Sequence, residues 1–379
     1  MSPIAGATRT PSRSIAYPLI LGLSALDAAG YSVIAPVLPA IARETGAGPA
    51  TIGALAATFP LGIILVGFPI GGRWIQRRSA ESLLVVSAVV LAVGTLPFVL
   101  TDELGFYFLG RLVMGIGSGG LWMGIAYSTL ERWPGSEYRC LSRVFAAYSA
   151  GSLLGPAFGA IGGIHAPFAA YLVFALAAAI AVLAMGPPAE RRSFRADRSA
   201  LRSPGFATAA VGMAFAVLAL GVIDGVLPLH LGSRLEQRGI ASLFIGVAVI
   251  HAIGSIVGAR FPARSSLVLA VLLVVSGVAF AGLWESPLAW FGALAVAGVG
   301  VGFGETGSVG VLLRSVPPER SVTAMVVWSQ IGIVGYLAGP LVGGVVAETL
   351  GFAWIGLVPL AAGLLVLALL PRSAAVPPA

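Results

Sequence analysis

Charge is scarce in this chain, cysteine occurs once and lysine is absent. Charged residues make up 10% of the 379 positions, whereas a soluble domain carries roughly 25%. Hydrophobic residues account for 58%, and the mean hydropathy is +0.98. A chain with so few charges would expose too much apolar surface in water, which excludes an ordinary soluble enzyme or binding module. We therefore predict that its solvent is lipid.

The scarcity of cysteine and histidine excludes several kinds of site. Cys140 is alone, so no internal disulfide is possible, and the three histidines do not combine with other residues at metal-ligand spacing. The glycine pattern of dinucleotide sites occurs twice, but both matches lie inside apolar runs, where small residues favour helix packing: Gly115-x-Gly117-x-x-Gly120 and Gly302-x-Gly304-x-x-Gly307. We expect no metal, no cofactor and no enzymatic activity.

Long apolar runs are what the chain has in abundance. A helix needs about 20 apolar residues to cross the hydrocarbon core of a bilayer. Twelve runs meet that requirement, separated by short polar breaks: 15–40, 51–72, 82–101, 105–127, 144–164, 167–186, 206–229, 241–258, 266–284, 288–313, 322–346 and 352–370. The sequence therefore predicts an all-α membrane protein with twelve transmembrane helices.

The longest polar break divides the runs into two groups of six. It contains five arginines between Pro187 and Pro204. We predict an N-terminal six-helix bundle over 1–186, a cytoplasmic linker over 187–204 and a C-terminal six-helix bundle over 205–379. The sequence does not determine the oligomeric state, and we expect a monomer.

The arginines predict the orientation of the helices in the membrane. Of the 22 cationic residues, Arg111 lies within an apolar run. With the N-terminus placed in the cytoplasm, Arg43, Arg234 and Arg238 fall on outer segments and the other 18 on inner ones. Because cytoplasmic loops carry an excess of arginine and lysine, both termini are predicted to be cytoplasmic. Arginines spread over short loops also argue against a nucleic-acid partner.

One short phrase occurs twice, about half a chain apart. The copies are Gly151-Ser-Leu-Leu-Gly155-Pro156-Ala-Phe-Gly159 and Gly335-Tyr-Leu-Ala-Gly339-Pro340-Leu-Val-Gly343-Gly344. Each copy interrupts a long apolar run. Matching glycine and proline interruptions in two halves are typical of transporters built from repeats. The phrase favours a transporter whose two bundles are related by a pseudo-twofold axis along the membrane normal.

Ionisable residues inside the predicted helices are candidates for function, because a charge at the bilayer centre costs ~3 kcal/mol on insertion scales. Asp27 and Arg111 fall at similar depths, so they form either a pair that exchanges a proton, or a fixed ion pair, or they do not meet. Glu305 has no cationic partner evident in the sequence. It is either a proton carrier or substrate anchor, or a neutral carboxyl bonded to a neighbouring helix.

Other polar and aromatic residues accompany these three. Asp224 lies near the outer end of the seventh run, where we expect it to line the wet mouth of a cavity. His251 is more typical of a packing residue than of a proton relay. Three aromatic residues follow the carboxylate or arginine along the same helices: Tyr31, Trp122 and Tyr127. Such aromatics suit a lipophilic cation by stacking and cation–π contact, or they serve ordinary packing.

Several motifs together resemble a known family. They are Leu26-Asp27-x8-Pro36-Val-Leu-Pro39, Arg111-x3-Gly115-x-Gly117-x-Gly119 and the doubled Gly-Pro phrase, whose first copy has Ala160 where a second glycine is usual. On these residues the chain resembles a twelve-helix member of the major facilitator superfamily, and within it the drug:proton antiporters. The resemblance implies that helices one, four, seven and ten surround the cavity. It also implies that the Gly-Pro phrase restrains ion leak at the interface of the bundles.

The loop after the second run departs from that family. The family pattern has an acid where this chain has Gln76, in Gly72-Arg-Trp-Ile-Gln76-Arg77-Arg78-Ser79. In the family that acid helps to latch the cytoplasmic gate. Here the resemblance implies a latch made by Gln76 and Arg77, with Glu131 at the inner end of the fourth helix.

These observations predict a secondary active transporter of the cell membrane that works by alternating access. We expect proton-coupled efflux of a small amphipathic or cationic compound, with protons, a small molecule and the lipid bilayer as its partners. The alternative within transport is a carrier of a specific metabolite such as an amine, sugar or amino acid. A non-transporting membrane sensor or enzyme is the alternative from another class.

Overall fold

The structure is a computed structural model that describes residues 15–66, 74, 78–133, 136–185, 198–317 and 321–371. Every regular element within these ranges is helical. A helix satisfies all its backbone polar groups within one segment, which is the requirement that hydrocarbon imposes on a spanning chain. The prediction of an all-α membrane fold is confirmed.

The helices of the first half run back and forth from residue 16 to residue 183. α1 consists of Ala16–Ser32 and, after a bend, Leu38–Thr45. The five that follow are α2 (Pro49–Val66), α3 (Ala80–Leu100), α4 (Leu104–Arg132), α5 (Glu137–Gly159) and α6 (His165–Leu183).

The second half repeats the pattern from residue 204 to residue 369. α7 consists of Pro204–Gly225, continued by Leu227–Leu231. The others are α8 (Gln237–Gly258), α9 (Ala263–Leu283), α10 (Pro287–Ser315), α11 (Ser321–Thr349) and α12 (Leu357–Leu369). The bundle boundaries at 186/187 and 204/205 stay predictions, because residues 186–197 lie outside the described residues.

Eleven of these helices in the described part of the chain are long and apolar enough to cross a membrane. The twelfth, α5, begins with the polar segment Glu137-Tyr-Arg-Cys-Leu-Ser-Arg143, seven residues before the predicted run. It also ends earlier than predicted, at Gly159. The reason is a tight turn in which Gly162 and Gly163 adopt positive φ angles of 98° and 71°, a conformation open to glycine.

α1 is broken near its middle. The helix ends at Ser32, a 3₁₀ turn covers Ala35–Val37, and the helix resumes at Leu38. Pro36 cannot donate a backbone hydrogen bond, which explains a break at this point. The second segment continues to Thr45, beyond the predicted end at 40, and stops where Gly46 adopts a φ of 69°. The break leaves carbonyl groups of the first segment without helical partners.

Buried apolar side chains form two clusters. One is built from residues between Ala16 and Met185, and the other from residues between Phe206 and Val366 together with Ala35. The clusters meet along α2 with α11 and along α5 with α8. At α2 and α11 the approach is close, because a Cβ on Gly53 would collide with the backbone of Pro340. Small residues therefore allow these two helices to touch.

Candidate functional site

A cavity of about 670 Å³ lies between the two clusters. Nine helices contribute to its wall, with side chains from α1, α2, α4 and α5 on one side and from α7, α8, α9, α10 and α11 on the other. The wall thus includes the four helices that the family resemblance implies and five more. Most of the lining is apolar, so its few ionisable groups define the chemistry.

Three carboxyl side chains line this cavity, on three different helices: Asp27 of α1, Asp224 of α7 and Glu305 of α10. Asp27 is only 3% exposed and lies beside Ser118 of α4. Its Oδ1 atom has no hydrogen-bond partner among the described residues. A buried polar atom without a partner is costly, so this oxygen marks a position at which a proton or ligand group would be stabilised.

Glu305 is paired with a histidine. Its Oε2 atom lies 3.0 Å from Nε2 of His251 on the neighbouring helix α8. The side chain of His251 is 17% exposed and that of Glu305 is 27% exposed. Both side chains line the cavity. The sequence indicated packing for His251 and no cationic partner for Glu305. The pair was missed because the residues are 54 positions apart on separate helices.

Aromatic side chains form the wall opposite the His251–Glu305 pair. Trp122 of α4 makes edge contacts with Phe145 and Tyr148 of α5, with ring centroids 5.1 and 5.7 Å apart. Tyr31 of α1 is in edge contact with Tyr336 of α11 in the cavity wall, with ring centroids 4.4 Å apart. The structure therefore brings together Tyr31, Trp122 and the carboxyl groups, as well as three aromatics that sequence reasoning missed.

Tyr127 is not among the residues that line the cavity. It lies five positions beyond Trp122 on α4, more than one helical turn and on a different face. The structure therefore does not bring Tyr127 into the cavity, where the sequence predicted it.

Arg111 does not pair with Asp27. It is fully buried, and its guanidinium donates hydrogen bonds to the backbone carbonyls of Gly30 (3.1 Å) and Tyr31 (3.4 Å). The same group lies over the ring of Phe59 at 4.4 Å. These carbonyls belong to the last turn of the first α1 segment, where a helix end carries partial negative charge. The break in α1 therefore supplies the partner that the sequence suggested would be a carboxylate.

The doubled Gly-Pro phrase packs each helix against a partner within its own half. A Cβ on Gly151 would collide with the backbone carbonyl of Ala25, and one on Gly155 with Ser32, both in α1. In the second half, a Cβ on Gly335 would collide with Ala214 of α7. A Cβ on Gly339 would collide with the backbone of Leu218, which is also in α7. The two copies thus make the same contact, α5 on α1 and α11 on α7.

The two prolines of the phrase lie at different junctions. Pro156 lines the cavity. Pro340 approaches Gly221 and Gly225 of α7 with its ring, and Gly53 of α2 with its carbonyl. Both copies therefore reach the interface between the halves, the second through Pro340 and the first through the carbonyl of Gly159, which accepts a hydrogen bond from Gln237 of α8.

The loop predicted to latch the inner gate is only partly described. Gly72, Gln76 and Arg77 lie outside the described residues. Glu131 lies at the end of α4, and its neighbour Arg132 forms an ion pair with Glu81 of α3 at 2.8 Å. This ion pair joins two helices of the same half.

The cavity reaches one face of the molecule and is closed at the other. Its lining extends to Ala259 and Phe261, in the loop on the face that also carries segment 198–203. At the opposite face, Gln237 of α8 donates to the carbonyls of Gly159 and Gly163, both at 2.9 Å. On the same face the carboxylate of Glu348 accepts from Ala50 N at 2.8 Å. The halves are thus joined beyond the cavity at this face.

Curated relatives of the chain include drug-resistance proteins. The chain is 28% identical over 160 residues to multidrug resistance protein 1 of Bacillus subtilis, which covers 41% of this chain and 39% of that protein. It is 34% identical over 167 residues to the class G tetracycline resistance protein of Vibrio anguillarum, covering 42% and 41%. The match therefore spans about two fifths of each relative.

Solved transporters share the fold. A bacterial homolog of the human lysosomal transporter Spinster, in an inward-facing and unoccupied conformation, has a TM-score of 0.77 at 15% identity, over 96% of both chains. The nucleoside transporter NupG has a TM-score of 0.71 at 14% identity, over 95% of this chain and 98% of that one.

The family assignment rests on the sequence match together with this shared fold. The family model of the Major Facilitator Superfamily matches residues 20–259, more than half of the 379 positions. The spanning helices place the chain within the membrane. The chain is an integral membrane protein and belongs to the Major Facilitator Superfamily.

Proposed function

We propose that this transporter exports small amphipathic or cationic compounds in exchange for protons, by alternating access of one central cavity. The observation that carries the proposal is the set of three carboxyl groups in an aromatic, mostly apolar cavity between two halves. Carboxyl groups attract a cation, and the aromatic wall attracts an apolar body. The names of the drug-resistance relatives point in the same direction.

Coupling follows from competition for the same oxygens. A carboxylate that binds a cationic substrate is unavailable to a proton, and a protonated carboxyl no longer attracts the cation. We assign this role to Asp27 and Glu305, since both line the cavity and they lie on opposite halves. Asp224 adds negative charge beside them. A proton that enters from one side then releases substrate that entered from the other.

Arg111 takes part in coupling through α1 rather than by direct contact with Asp27. It holds the carbonyls of Gly30 and Tyr31 at the break in the helix. Asp27 lies one turn before these residues, so the position of its carboxyl depends on the geometry of the break. The Gly-Pro phrases keep α5 and α11 close to α1 and α7 during the movement.

The orientation belongs to the same proposal. The excess of arginine on one side supports a cytoplasmic position for both termini. The open end of the cavity then faces the cytoplasm, which is where a substrate for export enters. The working unit is a single chain, because both walls of the cavity come from one protein.

Substrate-driven proton movement in vesicles tests this function. The full chain is reconstituted into liposomes that contain a pH-sensitive dye, and rhodamine 6G, a permanently charged lipophilic dye, is used as the probe. We expect rhodamine 6G to move protons through the wild type, and Asp27→Asn and Glu305→Gln each to reduce this flux at least about tenfold.

The matched controls change carboxyl groups outside the cavity. Asp102→Asn and Glu285→Gln alter exposed loop residues, and both variants should retain the wild-type flux. Equal flux in Asp27→Asn, Glu305→Gln and the wild type would refute the assignment. Rhodamine 6G transport that ignores a pH gradient would refute coupling.

A further inference from the structure

We propose that His251 is a built-in competitor of the substrate for Glu305. When its ring is charged, it occupies the carboxylate; when the ring is neutral, it yields the carboxylate to the cationic group of the substrate. This inference rests on the proposed function, because it assumes a cationic ligand. It assigns a specificity-determining role to a residue for which the sequence indicated packing.

The geometry of the pair supports an exchange of partners. Nε2 of His251 approaches Oε2 of Glu305 at 3.0 Å, the distance of a hydrogen bond or a charged pair. Both side chains line the cavity and are partly exposed to it, so a ligand can reach the carboxylate without unfolding a helix. A contact with solvent access exchanges more readily than a sealed core pair.

The neighbouring helices supply the other groups that act on this pair. Asp224 of α7 lies within electrostatic range of His251, so a charged ring displaced from Glu305 still faces a carboxylate. Tyr148 of α5 and Tyr336 of α11 lie within the same range of Glu305. Arg314, on the helix of Glu305, lines the cavity near its open end.

The opposite wall fixes where the rest of a ligand would lie. The contacts of Trp122 with Phe145 and Tyr148 form an aromatic surface on the first half. A ligand with an aromatic body on that surface and its charge at Glu305 would touch both halves at once. Such bridging links the identity of the substrate to the relative position of the halves.

The proposal predicts a sign for the pH dependence of binding. An imidazole gains or loses its proton in the range between about pH 5 and 8. At low pH the charged His251 both occupies Glu305 and repels a cation, so a permanent cation binds weakly. At high pH the ring is neutral and the cation binds more tightly. A neutral ligand is insensitive to this exchange.

The test is equilibrium binding of rhodamine 6G to the purified full chain in lipid nanodiscs, measured by fluorescence anisotropy at pH 6 and pH 8.5. Nile red serves as the uncharged probe. His251→Arg mimics a permanently charged ring, and His251→Gln mimics a neutral one. His230→Gln is the matched control, since His230 contacts Trp284 and Phe352 outside the cavity.

At pH 8.5 we expect His251→Arg to bind rhodamine 6G at least about tenfold more weakly than the wild type, with Nile red binding within about twofold. At the same pH, His251→Gln and His230→Gln should bind both dyes as the wild type does. The wild type should bind rhodamine 6G more weakly at pH 6 than at pH 8.5. Glu305→Gln should weaken rhodamine 6G binding at pH 8.5.

Three results would overturn the inference. In the first, His251→Arg binds rhodamine 6G as the wild type does. In the second, His251→Arg loses both dyes equally, which would indicate obstruction by the larger side chain. In the third, His251→Gln loses rhodamine 6G as strongly as Glu305→Gln, which would make His251 a ligand of the substrate.

The two proposals can fail separately. Binding that follows the expected pattern without proton-driven transport would retain the role of His251 and refute the proposed function. Proton-driven transport of rhodamine 6G together with unchanged binding by His251→Arg would do the reverse. Absence of rhodamine 6G binding by the wild type at both pH values would overturn both.

Discussion

At the scale of single residues, the few ionisable side chains inside the helices have two different roles. Asp27, Asp224 and Glu305 face the cavity, where a proton or a ligand can reach them. Arg111 faces backbone carbonyls and an aromatic ring, away from the cavity. Burying a guanidinium is costly unless its donors are occupied, and both terminal nitrogens of Arg111 meet carbonyls, although its Nε has no hydrogen-bond partner among the described residues. The carboxyl groups are therefore available for exchange, and the arginine is fixed.

The two hydrogen bonds of the Arg111 guanidinium can be tested by substitution. In Arg111→Lys the buried charge remains, but a single ammonium replaces the planar group that reaches two carbonyls and lies over Phe59. We expect a loss of about 2 kcal/mol, seen as a lower apparent melting temperature of the purified protein. Arg234→Lys, which changes an exposed pair with Glu285, is the control. Equal melting of Arg111→Lys and the wild type would show that the two carbonyl contacts are unimportant.

The sequence predicted the depth of the ionisable residues in the membrane better than it predicted their contact partners. The apolar runs and the cost of charge in lipid were enough to single out Asp27, Arg111 and Glu305 from the sequence. Their partners were not, because Arg111 bonds to backbone atoms and His251 meets Glu305 across 54 positions. In a helix that is apolar all round, the sequence pattern does not determine which face meets which neighbour.

At the scale of helices, glycine decides which pairs come close. The doubled phrase brings α5 against α1 and α11 against α7 by backbone contact. The repeat was visible in the sequence because the same spacing of glycines occurs in both halves. Its contact partners could not be read from the sequence, since α1 and α7 carry no matching phrase. Tight backbone approach also explains why these positions have no side chain.

The glycines of the phrase can be tested against a glycine of similar helical context. A methyl group at Gly335 would meet the backbone of Ala214, whereas one at Gly292 of α10 would meet nothing within 4 Å. We expect Gly335→Ala to lower the stability by about 1–3 kcal/mol through overpacking. Gly292→Ala should be neutral or slightly stabilising, since alanine favours a helix. Equal melting temperatures for the two variants would contradict the packing role of the phrase.

At the scale of the whole molecule, the two halves are joined at one face and separated at the other. The joining contacts are related by the internal repeat. Gln237 at the start of α8 holds carbonyls at the end of α5, and Glu348 near the end of α11 holds an amide at the start of α2. Each side chain complements the partial charge of the helix end it meets. These contacts define the closed face.

Weakening both contacts should open that face. In Gln237→Ala combined with Glu348→Ala, contacts of about 1 kcal/mol each are lost, and we expect the open population to rise roughly thirtyfold. Spin labels at Ile161→Cys and Glu236→Cys, in a Cys140→Ser background, report the change as a shift to longer distances. Ser242→Ala, which alters a bond within α8, is the control. An unchanged distance distribution would show that these contacts do not hold the face closed.

Proton release on substrate binding tests the central claim most directly, because that claim is competition for one set of cavity carboxyls. Purified protein near pH 7, in weakly buffered solution with a pH indicator, is mixed with rhodamine 6G. Linkage requires that a ligand weakened by protons also displaces them. We predict release of protons from the wild type, reduced in Asp27→Asn and in Glu305→Gln. Binding of rhodamine 6G without proton release would contradict the account.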